Sequence, residues 1–153
     1  LAPILVIPSL INSKEIFDLT AKNSFLSDIL EHKRDLFIID WGEPNKDKKM
    51  TSLEGVVEER LCPCLTYLSQ TSESGRVDTV GYCMGGLLSI ATSSLNPDLV
   101  RKRVFLATPW KFPVTDSLVK YFKKHQDFIK SYCYINDFVP GFIIYLIFFL
   151  QRP

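Results

Sequence analysis

Four short apolar runs alternate with helical patterns along this chain, and that alternation restricts its fold more than any other feature. The runs are Ile4 to Ile7, Leu36 to Ile39, Val77 to Tyr82 and Val104 to Ala107. Runs that are apolar at nearly every position suit strands covered on both faces, and intervening helices make neighbouring strands parallel. The sequence therefore predicts an α/β fold with a mainly parallel sheet and flanking helices.

Helices are predicted between these strands. One covers Ser24 to His32, with Phe25, Ile29 and Leu30 on its apolar side, and another covers Met84 to Leu95 and ends at Asn96-Pro97. A third begins at Thr51-Ser52-Leu53-Glu54, which fits a capping box. Its apolar residues recur at helical spacing, and they are Leu53, Val56, Val57, Leu61, Leu65 and Leu68. Pro63 is expected to kink or split this helix.

Composition narrows the function classes. The chain has 153 residues, of which 46% are hydrophobic, and a formal net charge of +1. A nearly neutral chain without a basic tract is not expected to bind nucleic acid. The four cysteines, Cys62, Cys64, Cys83 and Cys133, do not have the spacing of a zinc site, so no metal is expected. We interpret them as reduced thiols of a cytoplasmic protein.

The two ends of the chain are distinctive. The sequence begins at Leu1, which suggests a fragment or an unusual start codon, and Ile4 to Ile7 is too short and lacks the basic flank of a secretory signal. Residues Phe138 to Leu150 are almost wholly apolar but are interrupted by Pro140-Gly141 and are shorter than the ~17–25 residues of a membrane span. We expect a helix that is buried or covered by a partner, because an exposed face of this kind invites association.

The hexapeptide Gly81-Tyr82-Cys83-Met84-Gly85-Gly86 lies between a predicted strand and a predicted helix. This is the context of a nucleophile elbow, in which a strained turn projects the nucleophile into a cleft. Small residues at Gly81 and Gly85 let the strand and the helix approach each other. The turn also directs the backbone N–H of Met84 to the place where an oxyanion forms.

The elbow carries cysteine in place of the usual serine, and this replacement suits the enzyme to thioester substrates. The thiolate is the reactive form of cysteine, and the positive end of the following helix favours an anion there. Attack of a thiol on a thioester exchanges one thioester for another, which keeps an acyl group activated. The motif alone is also compatible with a small apolar cysteine packed under a helix.

Several further segments resemble polyhydroxyalkanoate synthases in order and spacing. Pro8-Ser9-Leu10-Ile11-Asn12 with Phe17-Asp18-Leu19 is similar to the segment after the first strand of that family, and Asn23-Ser24-Phe25 to the start of its next helix. Asp40-Trp41-Gly42-Glu43-Pro44 matches the family's D-W-G-x-P motif. Gly81 to Gly86 matches its lipase-like box, and Leu106 to Trp110 its L-A-T-P region.

This resemblance implies a partial α/β-hydrolase fold, with residues 1–112 as the first half of the core and 113–153 as a helical, apolar, cap-like segment. It implies that Cys83 is the acylated nucleophile. The backbone N–H groups of Met84 and Ile11 would bind the oxyanion, and Gly81, Gly85 and Gly86 would shape the elbow. The family joins 3-hydroxyacyl-CoA units into polyester and releases CoA, with the CoA thioester as substrate and no other cofactor. Family members work as dimers on the surface of storage granules.

The sequence departs from the family downstream of Cys83. In the family, the catalytic Asp and His lie well downstream of the nucleophile in the sequence. We therefore expect this chain to lack both the His that acts as general base and the Asp that orients it. His125 matches no family motif, nor do Asp116, Asp127 and Asp137. The last strands of the sheet are expected to be missing. A truncated chain of this kind would be weakly active or inactive alone and would need a complementing C-terminal chain.

Two other functions are compatible with the sequence. One is a non-catalytic remnant or interaction module, in which the apolar tail contacts a granule, a membrane or a partner. Alternatively, Cys83 and His125 would form a small thioesterase or carboxylesterase, which requires that they lie close together.

Overall fold

The structure is a computed structural model, and it describes residues 1–12, 14–20, 22–42, 52–111, 120, 123–127, 130 and 131. The chain forms two compact units. The first comprises Leu1–Gly42 and Asp47–Trp110, and the second Glu43–Lys46 and Lys111–Pro153. The predicted division at residues 112 and 113 stays a prediction, and the predicted helix of Phe138 to Leu150 lies outside the described residues, as does Cys133.

The first unit is built on a four-stranded parallel sheet. Its strands are β1 (Ile4–Ile7), β4 (Leu36–Ile38), β5 (Val77–Tyr82) and β6 (Val100–Leu106), and they lie in the order β4-β1-β5-β6, whereas β2 (Asp18–Thr20) and β3 (Asn23–Ser24) form a separate pair. The central strand β1 is buried along its whole length, and it pairs Ile4 with Leu36 on one side and with Asp78 on the other. The parallel sheet predicted from the apolar runs is therefore present, with the carboxyl ends of its strands at a single edge.

One strand differs clearly from its prediction. β6 begins at Val100, four positions before the predicted start at Val104, because Arg101, Lys102 and Arg103 also belong to it. These side chains are exposed, since β6 is the outermost strand of the described sheet on that side. Arg101 and Arg103 nevertheless find polar partners, because their guanidinium groups donate hydrogen bonds to Asp78 and Ser93. A charged run on an edge strand carries no apolar signal, which is why the sequence pattern missed it.

A short antiparallel pair lies between β1 and the first helix and was not predicted. A 3-10 turn (Lys14–Phe17) leads into β2 (Asp18–Thr20), which pairs with β3 (Asn23–Ser24). Helix α1 (Phe25–Leu30) follows, and the Ser24 hydroxyl caps it by accepting the Ser27 N–H at 3.0 Å. The predicted apolar side is partly wrong: Leu26 and Ile29 pack against the core, whereas Leu30 is exposed.

The helical stretch before β5 is continuous but changes its hydrogen-bonding pattern. It comprises α2 (Leu53–Gly55), a π-helical segment (Val56–Leu61) and α3 (Cys62–Thr71). Ser52 is the N-cap, because its hydroxyl accepts the Gly55 N–H at 3.0 Å. The cap thus lies one residue after the predicted Thr51, and the reciprocal bond of a capping box does not form, because Gly55 has no side chain. Pro63 is the second residue of α3, directly after the π-helical segment, so its missing N–H falls where the hydrogen-bonding pattern of the helix changes. Pro63 thus coincides with the junction of π and α segments.

Two apolar clusters cover the two faces of the sheet. Leu5 and Ile7 of β1 point to the face covered by the π-helical segment, α3 and helix α4 (Met84–Leu95), and their partners there include Leu61, Leu65 and Leu88. Ile4 and Val6 point to the opposite face, where Phe17 and Val80 complete a smaller cluster. This alternation is what a strand buried on both faces requires.

A buried carboxylate lies on the second face near the start of β5. Asp78 has only 8% of its side chain exposed and accepts hydrogen bonds from Arg101 Nε at 2.9 Å and from Arg34 at 2.7 Å. Burial raises the pKa of Asp78, but the hydrogen bonds from Arg101 and Arg34 outweigh it and hold that pKa below its usual value. This cluster lies at the opposite end of β5 from Cys83.

The second unit contains only a few described positions. Helical residues occur at 120, 123, 124, 126, 127, 130 and 131, and His125 lies in a turn among them. Within the part of the chain that the structure describes, none of the helices is long and apolar enough to span a membrane.

Candidate active site

Cys83 lies on the turn that joins β5 to α4. Its backbone has φ 52° and ψ −123°, which is an unusual conformation for a residue other than glycine. The Cys83 N–H donates to the Leu106 carbonyl at 2.8 Å, and the Gly86 N–H donates to the Cys83 carbonyl at 3.0 Å. The strained residue is therefore fixed by β6 on one side and by the first turn of α4 on the other, as an elbow requires.

Gly81 and Gly85 lie where no side chain would fit. A Cβ atom on Gly81 would come within 2.5 Å of the Gly86 Cα atom. A Cβ atom on Gly85 would overlap the Ile7 carbonyl oxygen and approach the Pro8 carbonyl oxygen to 2.5 Å. The contacting atoms belong to the backbone in both cases, so they cannot rotate away. These two glycines let the end of β1, the end of β5 and the start of α4 meet.

Gly86 faces a side chain instead. A Cβ atom there would overlap Thr108 Oγ1 and come within 2.6 Å of Thr108 Cγ2. Thr108 follows Ala107, whose φ of 48° is again positive and so turns the chain sharply after β6. The L-A-T-P segment thus packs its threonine against the first turn of the helix that carries the elbow.

Gly86→Ala is expected to destabilise the fold by about 1–3 kcal/mol, because the new methyl group meets a β-branched side chain. Thr108→Ala in the same chain should recover about 1 kcal/mol, since two of the three overlapping atoms disappear. Urea unfolding of the four chains of this double-mutant cycle measures the coupling. Strictly additive changes would show that the two residues do not compete for this space.

The loop after β1 reaches the elbow. Pro8 contacts Gly85, and its carbonyl oxygen also accepts the Trp41 indole N–H at 3.2 Å. Ser9 is fully buried, and its hydroxyl accepts the Ile11 N–H at 3.4 Å, a long and therefore weak hydrogen bond. The predicted oxyanion donor Ile11 thus lies on a loop that is held beside the start of α4 and beside the D-W-G segment.

The D-W-G segment is itself fixed at its first residue. Asp40 accepts the Gly42 N–H at 3.0 Å and forms an ion pair with Lys14. The hydrogen bond from Lys14, and then the one from the Gly42 N–H, lower the pKa of Asp40, and the same contact with Asp40 raises the pKa of Lys14. Both side chains are exposed, so salt screens their attraction. The pair ties the loop after β4 to the turn after β1.

The residues predicted for the site fall into two groups. Cys83, Met84, Ile11 and the three glycines all lie at the carboxyl edge of the sheet in the first unit. His125 and Asp127 belong to the second unit, and Asp116 and Asp137 lie outside the described residues. Thr108 was not singled out as a site residue, although its place directly after the last apolar run could have drawn attention to it.

Comparison with known proteins agrees with this architecture. The family model described as the alpha/beta hydrolase fold matches residues 2–142. A marine microorganism esterase of known structure is 21% identical and superposes with a TM-score of 0.53 over 85% of this chain and 47% of its own. The chain therefore belongs to the α/β-hydrolase fold family, and the predicted fold class is confirmed.

The curated relatives are more specific. The chain is 26% identical over 151 residues to the poly(3-hydroxyalkanoate) polymerase subunit PhaC of Thiocystis violacea, covering 99% of this chain and 42% of the relative. It is 31% identical over 118 residues to the subunit of the same name from Haloferax mediterranei, covering 77% of this chain and 24% of the relative. The resemblance to polyhydroxyalkanoate synthases is thereby confirmed. The chain spans less than half the length of either relative.

Proposed function

We propose that this chain carries the nucleophile of a polyhydroxyalkanoate synthase and that Cys83 accepts the acyl group of a 3-hydroxyacyl-CoA. The observation that carries the proposal is the backbone of Cys83, which is held at a positive φ between a strand and a helix whose glycines have no room for a side chain. The similarity to polymerase subunits named PhaC supports the substrate class.

The proposed step is a thioester exchange. The Cys83 sulfur, having lost its proton, attacks the thioester carbonyl carbon, and a tetrahedral oxyanion forms. Collapse of this intermediate breaks the bond to the CoA sulfur, and the departing thiolate takes up a proton. One thioester is consumed and one is formed, so the acyl group stays activated for transfer to a growing polyester.

Backbone N–H groups are proposed to stabilise the oxyanion. Met84 begins α4, so its N–H has no acceptor within that helix, and it directly follows the nucleophile. Ile11 is the second donor. Because its present bond to Ser9 Oγ is 3.4 Å long, an oxyanion would be a better acceptor and would displace the hydroxyl.

Helix α4 is also proposed to stabilise negative charge at the site. Cys83 caps α4 with its backbone, and its side chain does not take up the free amides of the first turn. The positive end of this twelve-residue helix therefore remains available to stabilise a thiolate or an oxyanion. A thiol nucleophile also depends less on a general base than a hydroxyl does.

Polymerisation as such is a proposal for the whole protein. The chain spans 42% of the relative from Thiocystis violacea, so polymerisation, dimerisation and contact with a granule surface are proposed for the whole protein and not for this part alone. We propose that the base and the acid come from a complementing C-terminal segment. Without them we expect acylation to be slower by about 10²–10⁴-fold, which is the usual contribution of general base catalysis.

Acylation of Cys83 is the expected result when the purified chain is incubated with 3-hydroxybutyryl-CoA. Intact-protein mass spectrometry should show one added hydroxybutyryl group, and free CoA should appear in equal amount. Cys83→Ala should abolish both. Cys64→Ala is the matched control: burial raises the pKa of the Cys64 thiol, so this thiol is less reactive and its removal should change nothing.

Two results would contradict the proposal. An adduct that survives in Cys83→Ala would place the reactive thiol elsewhere. Complete absence of an adduct, with the chain folded, would favour the non-catalytic interaction module. His125→Ala separates the remaining alternative, because a thioesterase that uses His125 would lose activity in this variant, whereas simple acylation of Cys83 should not change.

A further inference from the structure

The D-W-G segment lies against the loop that follows β1. The Ile39 N–H, one residue after β4, still donates to the Val6 carbonyl at 3.0 Å, so the two neighbouring strands stay paired up to that point. Two residues further on, the Trp41 indole N–H donates to the Pro8 carbonyl at 3.2 Å. The Trp41 side chain is half-buried and packs against the larger of the two apolar clusters. Trp41 thereby joins the segment after β4 to the segment after β1.

The Pro8 carbonyl oxygen contacts the elbow as well as Trp41. It would lie only 2.5 Å from a Cβ atom on Gly85, which is the second residue after Cys83. Pro8 is fully buried, and a buried carbonyl oxygen is normally paired with a donor. Trp41 supplies that donor, so its N–H fixes the peptide group that lies against the first turn of α4.

The loop from Pro8 to Asn12 is short and bonded within itself. The carbonyl of the fully buried Ser9 accepts the Asn12 N–H at 3.3 Å, which closes a four-residue turn. The Ser9 hydroxyl accepts the Ile11 N–H at 3.4 Å inside that turn. The place of the Ile11 N–H therefore follows the place of the Pro8 peptide, which directly precedes the turn.

We infer that Trp41 is a positioning residue of the oxyanion hole, whose indole N–H holds the Pro8 peptide and, through it, the Ile11 N–H. This inference rests on the proposed function, in which Ile11 is the second oxyanion donor. Such a donor acts only when it lies about 2.7–3.1 Å from the oxyanion, and a misplacement of about 1 Å can cost about 10²-fold in rate. Trp41 acts through the backbone and needs no contact with the substrate.

A purely structural role for Trp41 predicts a different behaviour. A half-buried indole N–H usually has a partner, so the hydrogen bond by itself would also suit a residue that only fills the core. In that case the ring would matter and the N–H would not affect the chemistry at Cys83. The two roles are therefore distinguished by removing the N–H and by comparing a reaction of Cys83 that forms an oxyanion with one that does not.

The test uses Trp41→Phe, which keeps an aromatic ring and removes the N–H. Acylation of Cys83 by saturating 3-hydroxybutyryl-CoA should become slower by about 10–100-fold, with the half-saturating concentration unchanged. Alkylation of Cys83 by iodoacetamide, mapped by peptide mass spectrometry, should keep its rate, because sulfur displaces iodide without forming an oxyanion. Trp110→Phe is the matched control, since Trp110 is 71% exposed, and it should change neither rate.

A second replacement covers the case in which phenylalanine disturbs the packing. The sequence has two tryptophans, so Trp41 is the only one left in Trp110→Phe. Expression of that chain with benzothienylalanine puts sulfur in place of the indole N–H at position 41 with almost no change of shape, and acylation should again be the only reaction that slows.

Three results bear against the inference. Acylation that keeps its rate with either replacement, or acylation and alkylation that slow equally, would overturn it and leave the proposed function in place. If the thioester does not modify Cys83 in the natural chain, the proposed function fails and the inference fails with it.

Discussion

Among the glycines whose surroundings the structure describes, Gly85 is expected to tolerate an added methyl group least. The new Cβ atom would overlap the Ile7 carbonyl oxygen and approach that of Pro8, which are backbone atoms at the end of the central strand. We expect a loss of more than about 3 kcal/mol, because neither strand nor helix can move without breaking the sheet. A domain has only about 5–15 kcal/mol of stability, so a loss of this size is a large fraction of it.

Urea unfolding followed by circular dichroism measures this loss, and acylation of Cys83 by 3-hydroxybutyryl-CoA should fall with it. Gly75→Ala is the control, because Gly75 has a φ of 63° but no atom within 4 Å of its absent Cβ. That variant should lose only the conformational cost of about 1–2 kcal/mol. If both variants were equally stable, the close approach at Gly85 would not hold the elbow in place.

The second large effect concerns Asp78. Asp78→Asn keeps the shape of the side chain but removes the charge that Arg34 and Arg101 share. Breaking a buried ion pair typically costs about 3–5 kcal/mol, and we expect the lower end because Arg101 is partly exposed and can reach water. Thermal and urea unfolding of the variant and the natural chain give the difference.

The same carboxylate makes stability depend on pH. Its pKa is lower in the folded chain than in the unfolded chain, so its contribution is complete above the unfolded value of about 3.9 and disappears as the pH falls through the folded value. The difference between the natural chain and Asp78→Asn should therefore shrink below about pH 4. Asp98→Asn, in an exposed turn, is the control and should change stability little. A difference that stays constant into acid would exclude the ion pair as its cause.

The sequence alone predicted the elements whose signals are local. β1, β5 and α4 match their predicted bounds, because a continuous apolar run or a glycine-flanked elbow determines each of them. Signals that depend on distant residues were missed. Arg101 and Arg103 resemble loop residues until Asp78 and Ser93 are seen beside them, and the π-helical segment before Pro63 has no pattern of its own.

The candidate site, like the fold, has features that the sequence predicted and contacts that it did not. The elbow could be predicted, since strand, nucleophile and glycines are contiguous between Val77 and Gly86. The contacts that hold the elbow in place could not be predicted, because they join residues that are far apart in the sequence. These contacts are Trp41 to Pro8, Lys14 to Asp40, and Thr108 to Gly86. Family motifs gave the positions of Trp41 and Thr108, but only the fold shows what they contact.

The place of β1 at the centre of the sheet has a consequence for synthesis of the protein. Its partners are Leu36 to Ile38 on one side and Asp78 to Gly81 on the other, so β1 is made before both of them. It loses its second free edge only after β5 has left the ribosome. At about 5–20 residues per second, that delay lasts about 4–15 seconds. During this interval the nascent chain presents an unpaired apolar edge, and chaperone supply is expected to set the yield of folded protein.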